Sequence, residues 1–450
     1  MSTARGEFSS RFGFLMATSG SAIGLGNIWG FPTNAASNGG AAFLFTYLLL
    51  AFSLAYPALM AELIIGRHTR ANAVSALRQL ATGPVSKKVG TGVGLAGLLT
   101  VSLILSFYSI IGGWMVSWML EAITSLLGLD AAALWFATDA VPRNSLFVLV
   151  FMALTIYVVS AGVRDGIEKW STRLMPALVV LLLLLILYVF TLEGATEGLR
   201  AYLVPDFSRV ASPGLIVSAL GQAFFSLSLG VGTMLIYGSY LSSEENLPLT
   251  GSMVSMLDTG FSFLAGLLII PAIYVALANG VQIYDDSGAL VAGPGLIVSL
   301  LPSLFDSMGM VGALVALAFF ALMVIASLTS SISMLEVPVA YTVETFKTQR
   351  SRAAIVIGST VTVVSLILVF NFATLFDFVV TLTTEYSQPL LGFFFAIFVG
   401  WIWNRNEVLK ELQKGYAGAE HSLFWKIWPF YISVVCPLAI LAVYVQLIFF

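Results

Sequence analysis

Cysteine occurs once in 450 residues, and that closes two possibilities. Cys436 lies in an apolar segment, so the chain has neither an internal disulfide nor a metal site built from cysteines. Histidine is almost as rare. His68 and His421 flank charged loops, where they read as surface residues rather than metal ligands. With no histidine inside a long apolar segment, no motif pairs a nucleophile with a histidine base, and the chain is not expected to be an enzyme. Charge is also scarce: Asp, Glu, Lys and Arg make up 10% of the chain, against roughly 25% in a soluble protein. The formal net charge of −3 is too small to argue for nucleic acid or anionic lipid. Residues 1–10 are polar and lack the short apolar core of a signal peptide. No stretch has the composition of a soluble domain or a low-complexity linker.

What is present is hydrophobic: 59% of the residues, with a mean hydropathy of +0.97. Apolar runs of about 20 residues indicate membrane-crossing helices, whereas a barrel shows alternating segments of about ten. The expected fold class is an all-α integral membrane protein of 11 transmembrane helices, at about 11–36, 41–66, 91–124, 145–161, 167–191, 213–240, 251–278, 308–342, 353–372, 376–403 and 426–449. Placing the N-terminus in the cytoplasm puts seventeen of the 20 Lys and Arg inside and leaves only Arg143, Arg200 and Arg209 outside. The C-terminus is then extracellular, and the expected location is the cell inner (plasma) membrane. The outer loop at about 279–307, with Asp285, Asp286 and Gly293-Pro294-Gly295, is a candidate lid.

Two spans carry residues that do not suit an unbroken helix. The first contains Ser19-Gly20-Ser21-Ala22-Ile23-Gly24-Leu25-Gly26-Asn27-Ile28-Trp29-Gly30-Phe31-Pro32, with four glycines in eleven residues. Each internal Gly weakens a helix by about 1 kcal/mol relative to Ala, and Pro32 removes a backbone donor. Backbone freed from helical pairing in hydrocarbon survives only against protein or a wet cavity, where bare carbonyls make good ligands for a small hard cation. The sixth span reads Gln222-Ala223-Phe224-Phe225-Ser226-Leu227-Ser228-Leu229-Gly230-Val231-Gly232. Spans one and six are five apart, the spacing of a 5+5 inverted repeat in which each half opens with a broken helix and frames a midplane site. The alternative is two unrelated Gly-rich packing faces. The repeat predicts a first half at 1–191, a second at 192–405 and an extra helix within 406–450.

These motifs resemble those of the neurotransmitter:sodium symporters, in their short prokaryotic eleven-span branch. Gly20-Ser21-Ala22-Ile23-Gly24-Leu25-Gly26-Asn27 with Phe31-Pro32 is similar to the family's first span. Phe225-Ser226-Leu227-Ser228-Leu229-Gly230 is similar to the sixth, and Ala326-Ser327-Leu328-Thr329-Ser330-Ser331 to the eighth. Asn38 to Phe43 and Glu62 fit the second. The resemblance implies a symporter that imports hydrophobic L-amino acids, aliphatic and aromatic, with two co-transported sodium ions by alternating access. It assigns one sodium site to Ala22, Asn27, Ser226 and Asp258, and a second to Gly20, Ile23, Ala326, Thr329 and Ser330. It assigns the substrate site to Ala22, Leu25, Gly26, Ile104, Tyr108, Phe225, Ser228, Val231, Ser330 and Met334. For Thr329 and Ser330 the competing reading is back-bonding to their own helix.

Departures from the family pattern refine these expectations. Gly24 stands where amine transporters carry Asp, which favours a substrate bringing its own carboxylate, and Val231 replaces a Phe, which widens the side-chain pocket. Asp258 stands where many relatives have Asn. Tyr47, Gln222, Ser226 and Ser262 fit the positions that hold chloride in chloride-dependent members, so the Asp258 carboxylate is expected to replace chloride. Gly30 removes an Arg from the outer gate, leaving the seal to Tyr108, Phe225 and the loop near 293–302. The inner gate is expected from Arg5 and Glu344, supported by Ser239 and Tyr240. Gly166 and Pro176, with nine residues between them, fit the motif at which span five unwinds. A channel would need repeated subunits or an acidic ring, and a receptor a signalling domain; neither is evident in the sequence.

Overall fold

A computed structural model describes residues 6–204, 210, 212–283 and 300–449, without the side chains of 306, 307 and 446–449. Every regular element among the described residues is helical. Eight helices are long and apolar enough to cross a membrane: Ala41–Thr69, Pro84–Leu126, Val141–Ser160, Val163–Val189, Leu247–Ala278, Gly309–Phe346, Arg350–Phe370 and Leu423–Val445. Phe372–Ile402 makes a ninth, bent by 99° from the helix Arg405–Gln413 that follows it. The two segments left over from the sequence reading are the first and the sixth. Each is broken into helices too short to span alone, of 12, 5 and 7 residues in the first and of 14 and 6 in the sixth. A count of eleven rests on taking each broken segment as one span.

Side-chain caps set several helix starts: Ser10 accepts from Gly13 N at 3.0 Å, Asn246 from Leu249 N at 3.2 Å and Ser422 from Trp425 N at 3.2 Å. Prolines fall at the first turns of Pro84–Leu126, Val141–Ser160 and Leu247–Ala278, where the missing N–H is harmless. The third span runs 43 residues and starts at Pro84, earlier than its hydropathy suggested, because its first turns carry Lys87 and Lys88. Gly309–Phe346, the eighth span, packs against the first, third, fourth, fifth, sixth and ninth. The interior is where the polar side chains go: Asn27, Glu62, Asp258, Ser262, Ser331 and Glu336 are buried, while Leu99, Leu187, Val363 and Leu438 face outward. Cys436 is buried too.

One buried ion pair ties the helix that follows the tenth span to the second span. Arg67 Nε donates to Glu411 Oε1 at 2.7 Å and its Nη1 to the Glu245 carbonyl at 2.6 Å. Lys414 Nζ (2.6 Å) and His68 Nδ1 (3.2 Å) both contact Glu411 Oε2, and the His68 ring packs on Trp403. Burial works to raise the Glu411 carboxyl, but hydrogen bonds from His68 and Lys414 and the Arg67 charge hold it down at about 2. A carboxylate depressed in the fold contributes stability above its unfolded value near 4.3, lost as pH falls toward 2. Glu411→Ala leaves the Arg67 charge buried and unpaired, and is expected to cost about 3–5 kcal/mol. Lys414→Ala, which removes a half-exposed partner, should cost under about 1 kcal/mol. Thermal melting of the purified detergent-solubilised variants checks the ratio; equal losses would mean Arg67 finds another acceptor.

Candidate functional site

The first span breaks because its glycines let neighbours in where side chains would stand. The helix Arg11–Ala22 ends at Ile23, which turns extended (φ −74°, ψ 97°), and helical pairing resumes at Gly26–Gly30 as a single wide π turn. A Cβ at Gly24 would lie 2.5 Å from Ser330 Oγ and 2.8 Å from Tyr108 Oη. One at Gly26 would meet the Phe225 ring at 2.9 Å. The freed backbone is satisfied by side chains of its own span and of the third and sixth. Gly24 N donates to Asn27 Oδ1 (3.1 Å), Leu25 N to Tyr108 Oη (3.2 Å), and Gln222 Nε2 to the Gly26 carbonyl (2.8 Å).

The sixth span breaks between Ser226 and Thr233. Gly230 and Gly232 have φ of 86° and 81°, and Ser228 takes φ 52°, a left-handed backbone that is strained for a residue with a Cβ. A Cβ on Gly230 would lie 2.2 Å from the Gln388 carbonyl, so only glycine fits between spans six and ten. Glu62, fully inside the bundle, accepts from Gly230 N at 2.6 Å and Leu235 N at 3.3 Å. Its carboxylate thus sits at the N-terminus of the short helix Thr233–Gly238, where the helix dipole favours negative charge. Gln388 Nε2 donates to the Leu229 carbonyl at 2.9 Å.

Beside the first break lies an oxygen-rich cluster around Asp258, which is wholly buried. Ser226 Oγ lies 2.9 and 2.8 Å from its two carboxylate oxygens. Asn27 Nδ2 faces Asp258 Oδ1 at 2.7 Å, Ser226 Oγ at 2.8 Å and Ser262 Oγ at 2.9 Å. Tyr47 Oη is 3.1 Å from Ser262 Oγ. Span seven therefore brings Asp258 and Ser262, one turn apart, onto Asn27 and Ser226 as the sequence reading expected. On the far side of the break, Ser330 Oγ donates to the Gly20 and Ser21 carbonyls, both at 3.2 Å. Thr329 Oγ1 bonds back to Ile325 and Ala326 carbonyls at 3.0 and 3.1 Å, so for Thr329 the back-bonded alternative describes this conformation. Gly20 nonetheless packs directly on Thr329.

Between the two clusters is a cavity lined by Ala22, Leu25, Gly26, Ile104, Tyr108, Phe225, Ser228, Val231, Ser330 and Met334, which are all ten residues expected for the substrate site. Ser21, Gly24, Val101, Thr233 and Gln388 complete the lining. The cavity is contracted, with about 30 Å³ open to the centre of a water-sized sphere, enough for about two waters. A larger occupant therefore displaces lining side chains. Of these five, Gly24 was singled out in the sequence as favouring a carboxylate-bearing substrate, and Ser21, Val101 and Thr233 lie on spans already implicated, whereas the order of motifs along the chain did not reveal Gln388.

The sequence matches the sodium:neurotransmitter symporter family over residues 5–146 and 136–449. The chain belongs to this family. An uncharacterized sodium-dependent transporter of Bacillus subtilis (strain 168) is 35% identical over 98% of this chain and 97% of its own. Another, of Haemophilus influenzae, is 31% identical over 99% and 98%. The crystal structure of MhsT in complex with L-phenylalanine matches with a TM-score of 0.83 at 36% identity, over 98% of this chain and 100% of that one. The symporter is thus a sodium-dependent membrane transporter and not an enzyme, as its motifs indicated. Among the described residues no group of three His, Cys, Asp or Glu is placed to hold a metal ion, and the clusters above offer only hydroxyl, carbonyl and carboxylate oxygen.

Glu344, expected in the inner gate, accepts from Asn72 N at 2.9 Å and Asn72 Nδ2 at 2.7 Å. Arg5, its expected partner, lies outside the described residues, as do residues 284–299 of the loop at about 279–307 expected as a lid. Ser239 Oγ bonds to the Ile236 carbonyl, while Tyr240 Oη donates to Glu336, which also pairs with Arg350. Sequence reading missed Glu336 and Arg350; an acid deep in an apolar run was the available signal. Ser9 N and Oγ hold the N-terminal segment to Glu168 at 2.8 and 2.6 Å. Gly166 sits in a π-helical turn, Val163–Glu168, and Pro176 inside the helix Lys169–Val189, so span five is wound in this conformation. Glu62→Gln should remove one acceptor from the sixth-span break and Glu62→Ala both. Each buried N–H left bare costs about 1–3 kcal/mol, so thermal stability should fall from wild type to Gln to Ala. An Ala variant as stable as wild type would show that water reaches Gly230 and Leu235.

Proposed function

We propose that this symporter imports hydrophobic L-amino acids, aliphatic and aromatic, together with two sodium ions by alternating access. The observation that carries the reading is the notch at Gly24. There the absence of a side chain lets Tyr108 Oη and Ser330 Oγ close in on the backbone beside the Leu25 amide, three groups suited to binding the α-carboxylate of a substrate in the adjoining cavity. Phe225, Ser228 and Ser330 would meet the ammonium group, and Ile104, Val231 and Met334 the side chain, with Met334 deformable enough to fit irregular shapes. A protein 36% identical to this one binds L-phenylalanine in its crystal structure. The first sodium ion would be held by Ala22, Asn27, Ser226 and Asp258, and the second by Gly20, Ile23, Ala326, Thr329 and Ser330. The cation needs oxygen ligands, so Asn27 must turn Oδ1 toward Asp258, whereas Thr329 Oγ1 keeps lone pairs for the cation while it donates to its own helix. The halves 1–191 and 192–405 act as the two inverted repeats, followed by 406–450. The N-terminus and the gate at Arg5, Ser239, Tyr240 and Glu344 are cytoplasmic, the C-terminus extracellular and the membrane the cell's inner one. Unwinding between Gly166 and Pro176 lets water reach the second ion.

Uptake of radiolabelled leucine, phenylalanine, tyrosine and tryptophan into vesicles reconstituted with the symporter tests the reading. Uptake should require an inward sodium gradient, and tryptophan should compete far better than tryptamine, which lacks the carboxylate. Equal competition by tryptamine would refute the role given to the Gly24 notch.

Two cations and a zwitterion bring two net positive charges to a low-dielectric midplane, and an ionised Asp258 offsets one of them. Chloride beside that carboxylate would be repelled, so replacing chloride by gluconate should leave uptake unchanged. Asp258→Asn should weaken uptake and make the remainder chloride-stimulated through Tyr47, Gln222, Ser226 and Ser262. Chloride dependence in the wild type would overturn this assignment.

A further inference from the structure

Gln388 lines the cavity from the tenth span, with an imbalance in its amide. The side chain is 4% exposed. Its Nε2 donates to the Leu229 carbonyl at 2.9 Å, and that carbonyl can only accept, which fixes the orientation of the amide. Oε1 is consequently turned the other way, and it is buried with no hydrogen-bond partner among the described residues. Such an acceptor costs about 1–3 kcal/mol when left bare, so it persists in a fold only where water or a ligand completes it. Gln388 lines the same cavity as Val101, Ile104, Val231 and Met334, all of them apolar. Oε1 is therefore an unfilled acceptor on a residue that shares the cavity with this apolar group.

We propose that Gln388 is a specificity-determining residue that accepts a hydrogen bond from a donor at the far end of an aromatic substrate side chain, an indole N–H or a phenolic O–H. The proposal rests on the hydrophobic amino-acid reading of the cavity and goes beyond it. A purely hydrocarbon side chain that fills the pocket expels the water that completes Oε1 and puts nothing in its place. A side chain of the same shape carrying a donor replaces that water directly. The position is held firmly: its own Nε2 bond grips the unwound part of span six, and the Gln388 carbonyl lies against Gly230. The acceptor thus reports on the side chain while the Gly24 notch reads the backbone of the same ligand.

The test is competition binding in sodium against labelled L-phenylalanine, with two matched pairs. L-tryptophan is compared with β-(3-benzothienyl)-L-alanine, in which sulfur replaces the indole N–H, and L-tyrosine with unlabelled L-phenylalanine. In the wild type the donor-bearing member of at least one pair should bind about two- to twelvefold more tightly, the range of one neutral hydrogen bond. Gln388→Met should bring that ratio to about one. The ratio is the readout because any damage to the unwound segment is shared by both members of a pair. Gln388→Glu, which when protonated donates to Leu229 and keeps a free carbonyl oxygen, should retain the preference. A wild-type ratio of one in both pairs overturns the proposal, as does a preference that survives in Gln388→Met. Loss of the preference in Gln388→Glu alongside Gln388→Met would assign Gln388 a packing role. Absence of sodium-dependent binding for all four ligands would overturn the pocket reading beneath it.

Discussion

Two helices are broken in the middle of a membrane protein, and every backbone group released by those breaks has to be answered by protein. In hydrocarbon each unanswered N–H or C=O costs several kcal/mol. Tyr108 and Asn27 accept from N–H groups freed by the first break, and Gln222 donates to a freed carbonyl. Glu62 and Gln388 do the same for the sixth. Most of the buried polar side chains described above are where they are because of this requirement. It also explains the glycines, which differ in purpose. Gly24 and Gly26 make room for Ser330, Tyr108 and Phe225, whereas Gly230 and Gly232 supply left-handed backbone.

That requirement turns local sequence into global arrangement. The groups that complete span one come from spans three, six and eight, so the break cannot form without the bundle closing round it. Glu62 and Gln388 likewise draw spans two and ten to the sixth. The lipid-facing surface, by contrast, carries no such demand, and Leu99, Leu187 and Leu438 there are interchangeable in type. The buried Arg67–Glu411 pair is a separate device, fixing the helix Arg405–Gln413 to span two.

Most of this was legible in the sequence because hydrocarbon makes polar and flexible residues conspicuous. Asp258, Asn27 and the hydroxyl run at Ser327 to Ser331 stand out from their apolar surroundings, and the structure brings Asp258, Asn27 and Ser226 within hydrogen-bond reach. The ten cavity residues expected from the motifs all line one cavity. Helix ends were less legible. Span three begins seven residues before its hydropathic core, since a helix continues into water without an apolar signal. Gln388 and Glu336 were missed for a different reason. Their meaning lies in partners far along the chain, Leu229 for one and Tyr240 with Arg350 for the other, and no spacing rule connects them.

Asn27 shows how one side chain can link what the motifs only list. Its Oδ1 holds Gly24 N, and its Nδ2 faces Asp258, Ser226 and Ser262. An amide N–H points toward the oxygens where, on the proposed reading, a cation sits. A cation cannot share that space with the two amide hydrogens, so its arrival demands the opposite face of the amide. Turning the amide withdraws the acceptor from Gly24 N, next to the notch formed with Tyr108 and Ser330. The freed donor then needs an acceptor, and a substrate carboxylate in the notch is the one chemically suited to it. Sodium at Asp258 and a carboxylate at Gly24 would each remove the other's penalty. Reciprocal coupling between two ligands requires only that each favour the same state, and here a single asparagine has two.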